Sequence, residues 1–142
     1  MGHTIHLVKL CVGADGVEDL IRWQARPEAQ GPDGRPRHVT RMWPRRADEV
    51  LAGGSLYWVF RGVILARQRI ARLDEVRGSD GVLRCGLVLE PDVVRTEAAP
   101  RRPFQGWRYL DPAEAPRDLR HGSGAVALPP ALAAALAELG VR

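Results

Sequence analysis

Lysine is almost missing from this chain. Of its 21 basic residues only Lys9 is a lysine, and the other 20 are arginines. A GC-rich genome, whose codons favour arginine, is the expected source of much of that bias, but it has a chemical consequence. Arginine offers a planar fork for bidentate phosphate contacts and stacks on flat rings, which lysine does not. Cysteine is scarce as well. Cys11 and Cys85 form no CxxC pair and have no zinc-like spacing, and each lies in an apolar run, where a free thiol behaves as a small hydrophobe. At 142 residues the chain is large enough to do without a disulfide staple, so a reducing cytoplasm is the expected compartment. No apolar run approaches membrane-spanning length. The opening MGHTIHLVKL lacks a cationic segment followed by a long apolar stretch, and His6 stands where a myristoylation pattern wants Ser or Thr. A soluble, cytoplasmic protein with no membrane partner is expected.

The usual catalytic arrangements are missing too. Ser55, Ser79 and Ser123 are the only serines, and none sits in a G-x-S-x-G elbow. Neither G-x-G-x-x-G nor G-x-x-x-x-G-K-[ST] occurs. His3 and His6, three apart on a strand, project to opposite faces, while His38 and His121 sit in loops with no nearby Cys or carboxylate. Asp48 and Glu49 are adjacent on a short helix and diverge by about 100°. No catalytic residue, metal ligand set or cofactor is expected.

What is present reads as one domain, with a core over 4–117, a flexible linker over 118–127 and a C-terminal helix over 128–140. Residues 4–12 form a strand with apolar side chains on both faces. A helix follows from Asp15, which has capping-box spacing with Glu18, and Val17, Leu20, Ile21 and Gln24 line one face. Residues 26–38 form a long loop rich in proline and glycine. An extended piece at 38–43 leads to a helical turn at 44–51, closed by Gly53 and Gly54. The middle is a meander of strands at 55–60, 63–70 and 82–89, the first two joined by an Arg61-Gly62 hairpin turn. A last strand is expected within PRRPFQGWRYL at 100–110. Asp111 and Pro112 then begin a brief helix as N-cap and first residue. The Leu-rich stripe of the 128–140 helix offers a surface for a second copy or a protein partner.

The arginines are clustered. Twelve of the 21 basic residues fall in three acid-free blocks, at 35–46, 61–72 and 101–108, each touching aromatic residues in a chain that has only eight. Interleaved arginines and aromatics suit a single-stranded nucleic acid, with guanidiniums on the backbone and rings under the bases. Arg37, Arg41, Arg45 and Arg46 are the candidate phosphate ligands, with Trp43 and Tyr57 as candidate stacking rings. Arg101, Arg102 and Arg108 extend the positive surface beside Trp107. Against this, Trp58 and Phe60 share strand parity with Leu56 and so face a core, and Trp107 and Phe104 suit the end of a sheet equally well.

Four stretches, IHLVKLCVG, GRPRHVTRMWPRRADEVLAGGSLYWV, RQRI and RRPFQGWRYL, resemble an uncharacterised, mainly alphaproteobacterial family of DUF1489 type over most of residues 4–117. That resemblance implies no activity. The order of elements is also similar to the PUA-like superfamily with its ASCH and EVE domains. This implies a small mixed, mostly antiparallel β-barrel-like sheet with peripheral helices, an α+β fold that reads RNA or modified bases, with a cleft near Arg41, Trp43, Arg45 and Arg46. The leading expectation is a module that binds RNA or a modified or flipped base. The alternatives are a protein-interaction module and an enzyme acting on a nucleotide-like anionic small molecule.

Overall fold

Strand formers concentrated between residues 55 and 89 build the centre of the molecule. The computed structural model describes residues 3–119. Within them, β1 (His6–Leu10), α1 (Val17–Gln24), a 3-10 turn (Pro27–Ala29), β2 (Arg37–Thr40) and α2 (Ala47–Leu51) precede β3 (Ser55–Phe60), β4 (Val63–Arg77) and β5 (Leu83–Leu89). The chain then continues through β6 (Val94–Pro100), β7 (Trp107–Leu110) and a 3-10 turn at Pro112–Glu114. The β3–β4 turn forms as its residues require: Arg61 and Gly62 both have positive φ, 50° and 84°, the primed geometry whose twist matches two paired strands.

The sheet order is β2-β5-β4-β3-β1-β7, with β6 also on β4. β1 is parallel to β3, Lys9 opposite Trp58, and antiparallel to β7, Lys9 opposite Trp107. A strand in that central position is covered on both faces, which is why its apolar residues do not alternate with polar ones. β4 is the longest strand, 15 residues. β5 pairs with its second half and β6 with its first, and the Glu90 amide donates to the Arg69 carbonyl between them.

One face of the sheet carries the larger core. Leu7, Leu56, Trp58, Ala66, Ile70, Cys85, Leu87 and Leu89 pack there with Val17 and Leu20 of α1 and Val50 of α2. The opposite face carries a smaller cluster of Val8, Tyr57, Val59, Ile64 and Leu110, with Phe104 and Ala115 against it. The turn into β3 depends on glycine. Gly53 has φ +98°, and a Cβ on Gly54 would meet the Ile5 and Val50 carbonyl oxygens, so β1, α2 and β3 converge only where there is no side chain.

Several expectations change. The sheet is mixed and mostly antiparallel, as expected, but it is not closed into a barrel. Among the described residues no ladder joins the edge strands β2 and β7. Both are four residues long, and the gap is spanned instead by Trp107 Nε1–H donating to the Met42 carbonyl at 2.9 Å. The cap of α1 is Gly16, not Asp15; the Asp19 carboxylate reaches back to the Asp15 amide at 2.8 Å. β4 runs on to Arg77, past a register shift between Ile70 and Arg72 that breaks its alternation. β6 was not expected, and residues 100–106 lie outside β7. Asp111 does cap its turn, accepting from the Ala113 amide at 2.8 Å. The 128–140 helix and most of the 118–127 linker fall outside the described residues.

Candidate functional site

Two neighbouring features emerge, a basic rim that contains most of the expected residues and an inner cleft that contains none of them. The rim forms where β7 meets the segment after β2. Besides the Trp107–Met42 bond, the Tyr109 hydroxyl accepts from the Arg46 amide at 3.1 Å, and the Arg46 guanidinium lies 5.4 Å from the Tyr109 ring centre. Residues 42–46 and 107–109, about sixty positions apart, are thus joined. Arg41, Trp43 and Arg45 are exposed on or beside the first segment. On or before the second, Arg101 and Arg108 lie against the Phe104 ring at 5.9 and 5.4 Å, and Arg102 is exposed.

Among the described residues, Arg41, Arg45, Arg101, Arg102 and Arg108 make no salt bridge, whereas Arg46 is held by Glu49 at 2.7 Å. That pairing raises the Arg46 pKa and lowers that of Glu49. Trp43 is 41% exposed, Tyr57 only 4% and Trp107 only 3%. Trp107 is therefore a core residue that anchors the rim through its indole N–H. Tyr57 packs on the opposite face of the sheet, edge-on to His6 at 5.1 Å, and is not brought to Trp43. Arg37 is half-buried on β2, its stem against Gly86.

The cleft opens on the larger-core face, between the end of β1, the loop into α1, and α1 itself. It has a volume of about 260 Å³ and is lined by Lys9, Cys11, Leu20, Trp23, His38 and Trp58, among others. In-register residues on adjacent strands share a face, so Trp107, Lys9 and Trp58 form one row. His38 stands edge-on to Trp58, ring centres 5.8 Å apart. Burial disfavours the charged imidazolium, and with the Lys9 ammonium nearby it brings the His38 pKa down to about 4. Burial also lowers the Lys9 pKa and pushes the Cys11 thiol up to about 11. At neutral pH the cleft therefore holds a neutral imidazole and a neutral thiol beside Lys9. Asp19, on the α1 side, is already engaged by Arg22 and the Asp15 amide. His38 lies against Trp58, whereas Asp48 and Glu49 stand on α2, where Glu49 pairs with Arg46.

The signal that could have found the cleft was visible: the only lysine of an arginine-rich chain, placed mid-strand on the same face as apolar neighbours. Its proximity to His38 could not be read, because β1 and β2 are separated in the sheet order by β3, β4 and β5.

A half-open mixed sheet with helices against one face defines a small α+β domain. Among the described residues no helix is long and apolar enough to cross a membrane, and no group of three or more His, Cys, Asp or Glu could hold a metal ion. The chain belongs to the family described as a protein of unknown function, DUF1489, which matches residues 7–142. Comparison with curated proteins and with solved structures finds no match.

Proposed function

We propose that this domain binds nucleic acid, RNA or a strand presenting a modified or flipped base, across the rim formed by residues 41–46 and 101–108. The observation that carries the reading is the Trp107–Met42 hydrogen bond with its Tyr109–Arg46 neighbour. It ties the exposed segment of Arg41, Trp43 and Arg45 to the edge strand β7, while Arg101 and Arg108 lie against Phe104 on the other face of that edge. Arg41, Arg45, Arg101, Arg102 and Arg108 hold phosphates, and Trp43 stacks on a base. Trp107 supports the 41–46 segment from within, and Tyr57 is buried against His6 on the opposite face, away from Trp43. The reading includes a PUA-like arrangement, for which the support is the order of strand, helix, glycine-bounded turn and meander.

The test is fluorescence anisotropy with structured RNA, single-stranded RNA and duplex DNA across a range of salt. RNA is expected to bind best, with affinity falling as salt rises. Trp43→Ala should cost ~1–3 kcal/mol of binding. Arg41→Ala should flatten the logarithmic salt slope by about 0.7 on single strands. Binding that ignores both substitutions, or that vanishes at physiological salt, overturns the proposal.

A further inference from the structure

In a chain that uses arginine at 20 of 21 basic positions, one lysine at the floor of an apolar cleft calls for a chemical reason. Arginine there would bring five N–H donors in a rigid fork, most of them with no acceptor among indoles and leucine. Lysine brings a compact charge on a flexible stem. Lys9 makes no salt bridge or side-chain hydrogen bond among the described residues, although Trp58 and Trp107 flank it on the sheet. Lys9 is half-buried, and the Asp19 carboxylate on the α1 side of the cleft is paired with Arg22 rather than with Lys9, so the ammonium favours an anion that can reach it.

We propose that the inner cleft is a binding site for a single-ring aromatic carboxylate, with Lys9 as its anion anchor and Trp23 and Trp58 as its walls.

Shape and chemistry both select that ligand class. About 260 Å³ lies just below the usual range of drug-sized sites and suits one ring rather than a nucleotide. The walls are largely apolar, and Trp23 stands at the mouth 41% exposed, unlike the buried Val17, Leu20 and Gln24 of its helix. A planar ring can stack there. A phosphate is disfavoured, because its several charged oxygens would meet one ammonium and few other donors. A carboxylate needs fewer partners, and neutral His38 supplies one donor and one acceptor for a polar ring edge. The site does not rest on the nucleic-acid reading, since it uses other residues and another ligand.

The experiment is titration of the intact protein with orotate and benzoate, and with their neutral counterparts uracil and benzamide, read by tryptophan fluorescence and calorimetry. The acids should bind saturably and at least about tenfold more tightly than the neutral compounds, the scale of a charge-assisted hydrogen bond. Lys9→Met should remove that preference, and Trp23→Ala should weaken both acids. Should Lys9→Met fail to fold, acetylation of the only lysine in the wild-type protein provides the same comparison. Orotate binding without benzoate binding assigns the cleft to pyrimidine-type acids; binding of both assigns it to aromatic carboxylates at large. Equal affinity for acids and neutral rings, unchanged affinity in Lys9→Met, or no saturable binding of any probe overturns the proposal. RNA binding that survives Lys9→Met leaves the rim untouched by that failure.

Discussion

The larger-core face of the sheet has two ends, and they treat their polar groups in opposite ways. At one end Gln24 and Gln68 exchange a reciprocal pair of amide hydrogen bonds, each 2.7 Å. The Trp58 indole donates to Gln68 Oε1 at 2.9 Å, and Gln68 Nε2 also donates to the Glu90 carbonyl at 3.1 Å. Gln30 adds a bond to the Gln24 carbonyl. Every donor and acceptor there answers another, and both glutamines are buried. At the other end, one Trp58 ring away, Lys9, His38 and Cys11 have titration behaviour displaced by burial, and Lys9 has no described polar partner. A saturated network rigidifies a core and specifies its packing. An unsaturated charge beside a cavity is held at a cost that structure alone does not repay. The same sheet face thus carries a structural end and a receptive end.

That contrast can be broken most severely at Gln68. Replacing it with leucine strands the Gln24 amide, the Trp58 N–H and the Glu90 carbonyl in a dry interior. The expected loss is about 4 kcal/mol, measured by urea denaturation at neutral pH; a loss below about 1 kcal/mol would show that the network is not structural.

A smaller effect should appear at His38 and should depend on pH. Its folded pKa of about 4 lies below the ordinary imidazole value of 6.5, so the unfolded chain takes up the proton first. The associated stability is present in full above pH 6.5 and is lost as pH falls towards 4. It amounts to at most about 3.4 kcal/mol. His38→Gln should remove that part of the acid sensitivity, seen by comparing denaturation midpoints of the two proteins at several pH values in that window.

The smallest expected change is at Lys9, where the sign is informative. Lys9→Met should leave stability unchanged or raise it by less than about 1 kcal/mol, because it removes a charge that burial penalises. A clear loss of stability would place Lys9 among the structural residues and erase the contrast between the two ends.

Local chemistry made part of this fold legible. The Arg61-Gly62 turn, the Asp111-Pro112 cap and the apolar runs of β3 and β5 each depend on a few neighbouring residues, and each formed as its residues require. β6 escaped because VRTEAAP has neither alternation nor a run of strand formers; it exists because β4 offers an edge beyond the end of β5. The far half of β4 escaped because a register shift at Ala71 disrupts its period. The arginine blocks of the rim were legible as composition, and Trp43 as a candidate stacking ring, but its 41% exposure is known only from the structure. Tyr57 was misleading for a topological reason: strand parity sends it away from Trp58, to the face opposite the cleft.

The placement of β1 has a consequence for how the chain is made. Its two neighbours are β3, some fifty positions onward, and β7, about a hundred, and contacts of such long range slow folding because the chain must close large loops first. During synthesis β1 emerges before either partner and must wait, with its apolar flanks uncovered, until β3 and then Trp107–Leu110 have left the ribosome. The Lys9 row between Trp58 and Trp107 is therefore completed only when β7 docks, so that row is among the last parts of the sheet to be assembled.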